Sequence, residues 1–211
     1  GVNVMFTAPT LLRMLMRYGE EYALKYDLTS LRFLTCAGEP LNPEALKWTY
    51  EFICGNGKWG HIVDNWWQTE TGGPCLGTSA TMPVKPGRVG RALPGAELDI
   101  VDREGQPITE PNVGGLLVIT KPFPHFYRTV YGDPERYAKD WNTIAGVYLT
   151  GDVALRDAEG YYMVVGRADD VLNVAGHRIG SAEVESALVS HAAVAEAAVP
   201  WVCLGRGPGK G

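Results

Sequence analysis

The sequence predicts a mixed α/β fold, in which strand-like and helix-like segments alternate before a region of short strands begins. Residues 1–6 are apolar and compatible with a strand, and residues 31–35 form a second short apolar run. A helix-like segment follows each of them, which is the alternation that α/β proteins show. From residue 87 to residue 120 the apolar runs are short and separated by turns, which favours antiparallel pairing between neighbouring strands.

Helical segments are indicated by apolar spacing and by capping residues. The first begins at Pro9 or Thr10, because the apolar residues that follow recur at helical spacing. These residues are Leu11, Leu12, Leu15 and Met16. The second begins at Asn42, which can cap a helix that continues with proline and glutamate. A third helix is predicted over residues 181–188 behind a serine cap, and an apolar strand-like run covers residues 193–199.

The β-rich part of the chain covers about residues 85–165. Its clearest strands are residues 96–101 and 115–120, and the polar residues 102–105 between them are typical of a turn. We expect a small, antiparallel, barrel-like subdomain here. Residues 122–141 carry aromatic side chains and mixed charges, and they give no functional signal.

Composition and charge exclude several classes of protein. The 211 residues are 45% hydrophobic and 20% charged, which is ordinary for a globular chain of one or two domains. A net charge of -5 argues against nucleic acid as the main partner, since binding to phosphate backbones needs clustered positive charge. The four cysteines are scattered, without a C-x-x-C pair or a histidine at ligand spacing, so neither a zinc site nor a disulfide framework is predicted.

The cytoplasm is the expected compartment. No apolar run approaches the ~20 residues of a membrane-spanning helix, so no membrane association is expected. The first residues lack the pattern of a signal peptide. They also lack an initiator methionine and start inside a strand-like run, so we expect an internal fragment of a longer protein.

The densest group of polar signals lies between residues 151 and 178. Asp152 follows residues 148–150, which we predict to end a strand, and side chains at such ends often contact ligands. A carboxylate there can accept hydrogen bonds from both hydroxyls of a ribose. The alternative is a hairpin turn at residues 157–160 followed by a solvated cluster of charges.

A second signal is the run Gly-Arg-Ala-Asp-Asp at residues 166–170. It lies between strand-like runs at residues 161–165 and 171–174. Its polar residues therefore predict a short exposed connection. Arg167 and Asp169 are its candidate functional residues.

A third signal runs from Asp64 to Gly73 and contains two adjacent tryptophans. The oxygen atoms of Thr69 and Glu70 suit Mg²⁺, which prefers carboxylates and substrate phosphates. The carboxylate of Asp64 can accept from an exocyclic amine, and a tryptophan wall can limit the depth of a small apolar pocket. The alternative is that both tryptophans are core residues and that residues 69–71 form a turn.

These stretches resemble the adenylate-forming enzymes, and most closely the AMP-forming acetyl-CoA synthetases. The matching motifs are the G-E-P loop at residues 38–40, W-W-Q-T-E-T-G-G at residues 66–73, Y-x-x-G-D ending at Asp152 and G-R-x-D-D at residues 166–170. The resemblance implies a partial large AMP-binding domain over residues 1–168, made of a sheet flanked by helices plus a small β-barrel subdomain. The start of a small α/β C-terminal domain would cover residues 169–199, and residues 200–211 do not match.

The resemblance also implies roles for individual residues. Asp152 would hold the ribose of ATP, Arg167 would bind near the ribose or a phosphate, Asp169 would be the hinge between the domains, and Arg178 would contact a phosphate. The residues Gly38, Glu39 and Pro40 would flank the adenine. The residues Asp64, Asn65, Trp66, Trp67, Gln68 and Thr69 would line the adenine and the α-phosphate.

Further implied roles concern metal ions and the other substrates. Glu70 would carry Mg²⁺, and Trp67 would shorten the acyl pocket so that only acetate or propionate fits. The CoA thiol arm would pass Ala175 and Gly176. A structural Mg²⁺ or monovalent ion would be bound by His191 and the carbonyl oxygens of Val189 and Val194, although His191 could equally be a partly buried histidine at a helix end.

The implied reaction joins a short carboxylate to CoA in two steps. ATP and acetate would give an acyl-adenylate and pyrophosphate, and CoA would then displace AMP. The cofactors implied are ATP, Mg²⁺ and CoA, and the partners are small molecules. The family's phosphate loop and catalytic lysine are not found in this sequence, so the fragment alone is expected to be inactive. The alternatives are an adenylation domain that loads a carrier protein and a nucleotide-binding module without turnover.

Overall fold

The computed structural model describes residues 1–169, 171–174 and 177–189, and the single residues 191, 194, 197 and 199. The chain begins with strand β1 (Val4–Thr7), helices α1 (Pro9–Tyr18) and α2 (Glu20–Leu24), strand β2 (Phe33–Cys36) and helix α3 (Pro43–Trp48). A π-helical turn (Thr49–Ile53), strand β3 (His61–Trp66), a 3₁₀ turn (Thr69–Thr71) and the short strands β4 (Leu76–Gly77) and β5 (Arg91–Ala92) follow. Within these residues, no helix is long and apolar enough to cross a bilayer.

The first sheet has the strand order β1-β2-β3-β4-β5. Strands β1, β2 and β3 are parallel and are connected through helices, as the alternation in the sequence predicts. Thr7, Cys36 and Asp64 are aligned across the three strands, so the carboxyl ends of these strands meet at one edge of the sheet. In α/β proteins such an edge is the usual place for a ligand.

The predicted helices form where their caps and apolar spacing place them. Helix α1 starts at Pro9 and buries Leu12 completely in the core, together with residues from β2 and β3. In α3 the side chain of Asn42 accepts a hydrogen bond of 3.0 Å from the backbone N–H of Ala45. This satisfies one of the otherwise unpaired donors of the first turn, which confirms the predicted N-cap.

A second sheet contains the antiparallel strands β6 (Glu97–Val101), β7 (Gly115–Lys121), β8 (Tyr148–Arg156) and β9 (Tyr162–Arg167), in that spatial order. The predicted antiparallel pairing is confirmed, but the expected barrel is not. In the described part of the chain the sheet is open, with β6 and β9 as its two edges. Four strands of this length can twist, as their bulges show, but they are too few to curl into a closed ring.

The prediction that a strand ends just before Asp152 is wrong. Strand β8 continues to Arg156, and Asp152 lies in its middle. The pairing of β8 with β7 is interrupted between Leu149 and Val153, where Gly151 has a φ of 76°. Such a bulge changes the direction of the side chains that follow it, so the side chain of Asp152 can face a ligand from the middle of the strand.

The hairpin turn at residues 157–160 is present. The side chain of Asp157 accepts backbone hydrogen bonds from Glu159 and Tyr161, each of 2.9 Å. The alternative interpretation of this region was therefore right about the turn. The same turn sets the pairing of β8 with β9, in which Asp152 lies opposite Arg167.

Helix α4 (Pro134–Asn142) lies in the segment of aromatic residues and mixed charges that carries no functional signal. Its side-chain cap, Asp133, accepts from the backbone N–H of Arg136 at 3.1 Å. Asp133 is followed by proline and glutamate, which is the pattern that also starts α3. The sequence therefore contains the pattern that marks the start of helix α4.

The described chain ends with a two-stranded antiparallel hairpin and a helix. The hairpin consists of β10 (Val171–Val174) and β11 (His177–Gly180), and helix α5 (Ser181–Val189) follows. The predicted strand at residues 171–174 and the predicted helix at residues 181–188 are confirmed. The predicted strand at residues 193–199 falls largely outside the described residues.

Candidate functional site

A cavity of about 420 Å³ opens at the carboxyl ends of β2 and β3 and extends to β8 and β9. Its lining consists of residues 38–43, 64–68, 87, 89, 152 and 163–167. Residues of four motifs that are separate in the sequence therefore share one cavity. The volume is in the range of small-molecule and cofactor sites.

The loop at residues 38–40 is tied to helix α1 by Glu39. One carboxylate oxygen of Glu39 accepts from the backbone N–H of Thr10 at 2.8 Å and from its hydroxyl, and the other accepts from Arg13 at 2.8 Å. Burial would raise the pKa of Glu39, but the hydrogen bonds from Arg13 and Thr10 outweigh it, and the pKa lies below its ordinary value. The negative charge is thus neutralised by α1, and Gly38 and Pro40 form the cavity surface beside it.

The end of β3 contributes two buried polar side chains to the cavity. Asp64 is 7% exposed, and burial raises the pKa of its carboxyl to about 8, opposed by a backbone hydrogen bond from Asn65. Near neutral pH this carboxyl can therefore donate a hydrogen bond as well as accept one. The side-chain oxygen of Asn65 is buried and has no hydrogen-bond partner among the described residues. A carboxyl that can both donate and accept suits a ligand edge that carries acceptors and donors.

Stability should depend on pH through Asp64. Its folded pKa, about 8, lies above the ordinary value of 3.8, so the folded state retains a proton that the unfolded state loses. The free energy of unfolding should therefore fall as pH rises from about 4 to about 8. The fall is at most about 1.4 kcal/mol for each pH unit, because a single group is involved. Asp64→Asn removes this loss. Denaturant unfolding at pH 5 and pH 8 should show the variant gaining on the wild type at the higher pH, and an equal pH dependence in both proteins would contradict the buried, proton-retaining carboxyl.

Asp152 lies at the centre of the polar wall and is only 6% exposed. Its Oδ2 accepts from the indole N–H of Trp66 at 3.1 Å and from Nε2 of Gln68 at 3.0 Å. Its Oδ1 forms an ion pair of 3.6 Å with Nη1 of Arg167. Burial raises the pKa of Asp152, although Arg167, Trp66 and Gln68 all favour the charged form. Oδ2 is thus occupied by two hydrogen bonds from the protein, whereas Oδ1 has only the longer contact with Arg167.

Arg167 reaches Asp152 across the bulge in β8. Its Nη1 donates to the carbonyl oxygen of Thr150 at 3.1 Å. A Cβ atom at Gly151 would lie 2.6 Å from Nη2 of Arg167, so the glycine permits this close approach as well as the positive φ. The guanidinium remains about half exposed, which leaves it accessible to an anionic ligand.

The two tryptophans have different environments. Trp66 is partly buried and packs against the core cluster of the second sheet. Trp67 is 41% exposed and lines the cavity. The interpretation of both as core residues is therefore wrong for Trp67 and partly right for Trp66.

Thr69 and Glu70 do not line the cavity. They lie in the 3₁₀ turn, which Thr71 stabilises by accepting from the backbone N–H of Gln68 at 3.0 Å. One carboxylate oxygen of Glu70 lies 3.6 Å from Nη2 of Arg136. Over the part of the chain that the structure describes, no group of three or more histidine, cysteine, aspartate or glutamate side chains could hold a metal ion. Mg²⁺ does not require such a group, because it commonly uses one or two carboxylates plus phosphate oxygens.

The remaining predicted residues lie outside this cavity or outside the described chain. Asp169 is exposed, two residues beyond Arg167. Arg178 and Val189 are described as parts of β11 and α5. His191 is exposed, and its carbonyl oxygen accepts from the backbone N–H of Val194 at 2.9 Å. Residues 175 and 176 are not among the described residues, so the predicted CoA site stays a prediction. The predicted ion site at residues 189, 191 and 194 also stays a prediction.

Several contributors to the site were missed in the sequence. They are Thr10 and Arg13 on α1, residues 41–43, Gly87 and Val89, and residues 163–165 on β9. The β9 contribution could have been inferred by counting back from the hairpin turn, which places β9 beside Asp152. The contact between α1 and Glu39 had no signal, because it depends on how the helix packs on the sheet.

Comparison with known proteins gives two findings. Residues 1–126 match the AMP-binding enzyme family. The chain is 49% identical over 206 residues to an acetyl-coenzyme A synthetase of Pyrobaculum aerophilum, which is 96% of this chain. It is 50% and 52% identical over 200 residues to the acetyl-coenzyme A synthetases of Chlorobaculum tepidum and Deinococcus radiodurans, each time over 94% of this chain. In all three cases the chain spans about 30% of the length of the curated relative that it matches.

Proposed function

The chain belongs to the AMP-binding enzyme family, and from this premise we propose that it supplies the nucleotide site of an AMP-forming acetate–CoA ligase. The observation that carries the proposal is that the loop at residues 38–40, the segment at residues 64–68 and the pair Asp152 and Arg167 line one cavity. The cavity volume and the mixture of apolar walls with a few buried polar groups fit a nucleoside. The acetyl-coenzyme A synthetase relatives support acetate, ATP and CoA as the substrates.

In this proposal the nucleoside portion of ATP occupies the cavity. The adenine lies against Gly38 and Pro40 on one side and near the polar atoms of Asp64 and Asn65 on the other. The proton-retaining carboxyl of Asp64 can act as a donor or as an acceptor toward an adenine edge. The ribose hydroxyls donate to Asp152.

The acyl group lies beside Trp67. The exposed indole of Trp67 forms an apolar wall in the same cavity as Asp152, so a short acid held near the α-phosphate meets this wall. We expect acetate or propionate to fit and longer acids to be excluded. A carrier-protein-loading adenylation domain usually needs a larger acyl pocket, and the position of Trp67 therefore favours the CoA ligase.

Chemistry at the α-phosphate depends on position and charge neutralisation more than on covalent groups of the protein. Arg167 is partly exposed beside Asp152 and can approach the negative charge of a bound nucleotide. Glu70 would hold Mg²⁺ together with phosphate oxygens, and its oxygens fit this metal although the nearby Arg136 competes for one of them. Mg²⁺ would neutralise the charge of the leaving pyrophosphate.

The second half-reaction is proposed to use the segment after Asp169, with CoA approaching residues 175 and 176. The backbone N–H of Ala168 donates to the carbonyl oxygen of Gly151 at 2.8 Å, which fixes the chain to β8 just before Asp169. Asp169 is exposed and directly follows this anchor. Its exposure beside this anchor supports the proposed hinge between a large domain over residues 1–168 and a small domain after it.

Asp169→Pro should affect the two half-reactions unequally. Proline fixes φ near −65° and restricts Ala168 as well, so the variant should favour one of the two domain orientations. The measurement compares acetate-dependent pyrophosphate exchange with thioester formation from preformed acetyl-adenylate. Asp169→Ala is the control, since it removes the carboxylate but keeps the backbone free, and it should lose little in either reaction. Equal losses in both half-reactions for the proline variant would remove the hinge role.

The proposed activity is tested by acetate-dependent exchange of labelled pyrophosphate into ATP. The complete protein that contains this chain should catalyse exchange that requires both acetate and Mg²⁺. The 211-residue chain alone should not, because it lacks the phosphate loop and the lysine that the family uses. Exchange without acetate, or the absence of exchange by the complete protein, would overturn the proposed function.

A further inference from the structure

The side chain of Gln68 is held by three hydrogen bonds in the polar wall of the cavity. Its Nε2 donates to the carbonyl oxygen of Thr150 at 2.8 Å and to Oδ2 of Asp152 at 3.0 Å. Its Oε1 accepts from the hydroxyl of Tyr148 at 3.3 Å. Both N–H donors of the amide and one acceptor position of its oxygen are thus engaged within the protein.

Chemistry allows only one assignment of donors and acceptors in this chain of contacts. A carbonyl oxygen and a carboxylate oxygen are both acceptors, so the amide nitrogen of Gln68 must face them. The amide oxygen therefore faces Tyr148, whose hydroxyl must donate. Burial raises the pKa of Tyr148, and the charges of Glu70, Asp140 and Asp152 raise it further, so the hydroxyl keeps its proton.

The hydroxyl of Tyr148 is fixed by the core of the protein. Tyr148 is 3% exposed, and its ring packs edge-on against Phe126 with the ring centroids 4.9 Å apart. It also lies 5.7 Å from the ring of Trp141. The ring is held in place by these neighbours, so the hydroxyl offers Gln68 an anchor that does not depend on a ligand.

We propose that Tyr148 and Gln68 are positioning residues, which act on the ribose of the nucleotide only through Asp152. The hydrogen bond from Tyr148 orients the amide of Gln68, and this amide occupies Oδ2 of Asp152, so that Oδ1 faces the ribose hydroxyls. The inference rests on the proposed nucleotide site. It goes beyond that site in two ways. Gln68 acts without direct contact to adenine or phosphate, and Tyr148 is added to the residues on which nucleotide binding depends.

Tyr148→Phe in the complete protein tests this inference, since it removes one hydroxyl and keeps the packed ring. Affinity for AMP, measured by calorimetry, should fall roughly three- to tenfold, the usual effect of losing one hydrogen bond. Affinity for 2′,3′-dideoxy-AMP should not change, because the ribose hydroxyls through which the residue acts are missing. Adding Tyr148→Phe to Asp152→Asn should cause no further loss of AMP affinity.

Tyr162→Phe is the matched control. Tyr162 is equally buried in the same sheet, but its hydroxyl contacts the carbonyl oxygen of Leu98 and the guanidinium of Arg156 instead of Gln68. It should leave the affinities for both nucleotides unchanged. Gln68→Met is a second test variant, for use if Tyr148→Phe unfolds the protein. It keeps the length of the side chain and removes all three hydrogen bonds. It should therefore reproduce the ribose-dependent loss of affinity.

The outcomes separate this inference from the proposed function. The positioning role would be overturned if Tyr148→Phe and Gln68→Met both bound AMP with wild-type affinity. It would also be overturned if the variants lost as much affinity for the dideoxy nucleotide as for AMP. In either case a loss of AMP affinity in Asp152→Asn would still support the nucleotide site. Unchanged AMP affinity in Asp152→Asn would overturn the ribose site and this inference with it.

Discussion

Replacing Asp152 with asparagine should weaken the binding of ATP and AMP by about ten- to hundredfold, equivalent to about 1.4–2.8 kcal/mol. The buried donors of Trp66 and Gln68 require an acceptor at the position of Oδ2, so the asparagine oxygen should take that position. The new amide NH₂ then replaces Oδ1, where it faces Arg167 and the ribose hydroxyls with donors instead of an acceptor. Charge-assisted hydrogen bonds are lost, and each is worth about 1.5–3 kcal/mol.

Calorimetric titration with AMP measures this effect, and Asp99→Asn is the matched control. Asp99 also forms an ion pair with an arginine of the second sheet, 3.4 Å from Arg156, but it lies outside the candidate cavity. The control should retain wild-type affinity. If Asp152→Asn and Asp99→Asn bind AMP equally well, Asp152 does not hold the ribose.

Replacing Trp67 with glycine should move substrate preference from the proposed substrates, acetate and propionate, toward acids of four to six carbons. The exposed indole of Trp67 lines the cavity, so its removal opens a volume that extra methylenes can fill. Each buried methylene is worth about 0.8 kcal/mol, or roughly fourfold in binding. Acetate should lose efficiency, because its methyl group no longer meets a wall.

The measurement is relative kcat/KM for acetate, butyrate and hexanoate in the complete protein. Trp67→Phe is the graded control, since it shortens the wall without removing it and should shift the preference less. Glycine and phenylalanine variants that both keep the wild-type order of substrates would show that Trp67 does not end the acyl pocket.

Local signals in the sequence were sufficient for most individual elements of the fold. Helical spacing and the Asn42 cap located α1 and α3, and the apolar runs at residues 1–6 and 31–35 indicated strands β1 and β2, whereas β3 was not predicted. The cap at Asp133 has the same form and indicates a helix, although the aromatic and charged residues around it show no clear helical spacing. The bulge at Gly151 and the open second sheet could not be predicted, because both depend on how neighbouring strands pair.

The candidate site was only partly predictable for a related reason. The residue types at Asp152 and in the segment from Asp64 to Gly73 indicated nucleotide chemistry, and the structure brings residues of both to one cavity. The partners of each side chain depend on tertiary packing, however. No local pattern indicates that Glu39 is neutralised by α1, or that the amide of Gln68 is engaged by Tyr148 and Asp152.

The most direct test of the central claim is a crystal structure of the complete protein with bound AMP. The adenine should lie in the cavity between Gly38 and Asp64, with both ribose hydroxyls within about 3.2 Å of Asp152. AMP bound outside this cavity, or bound with its ribose directed away from Asp152, would contradict the account.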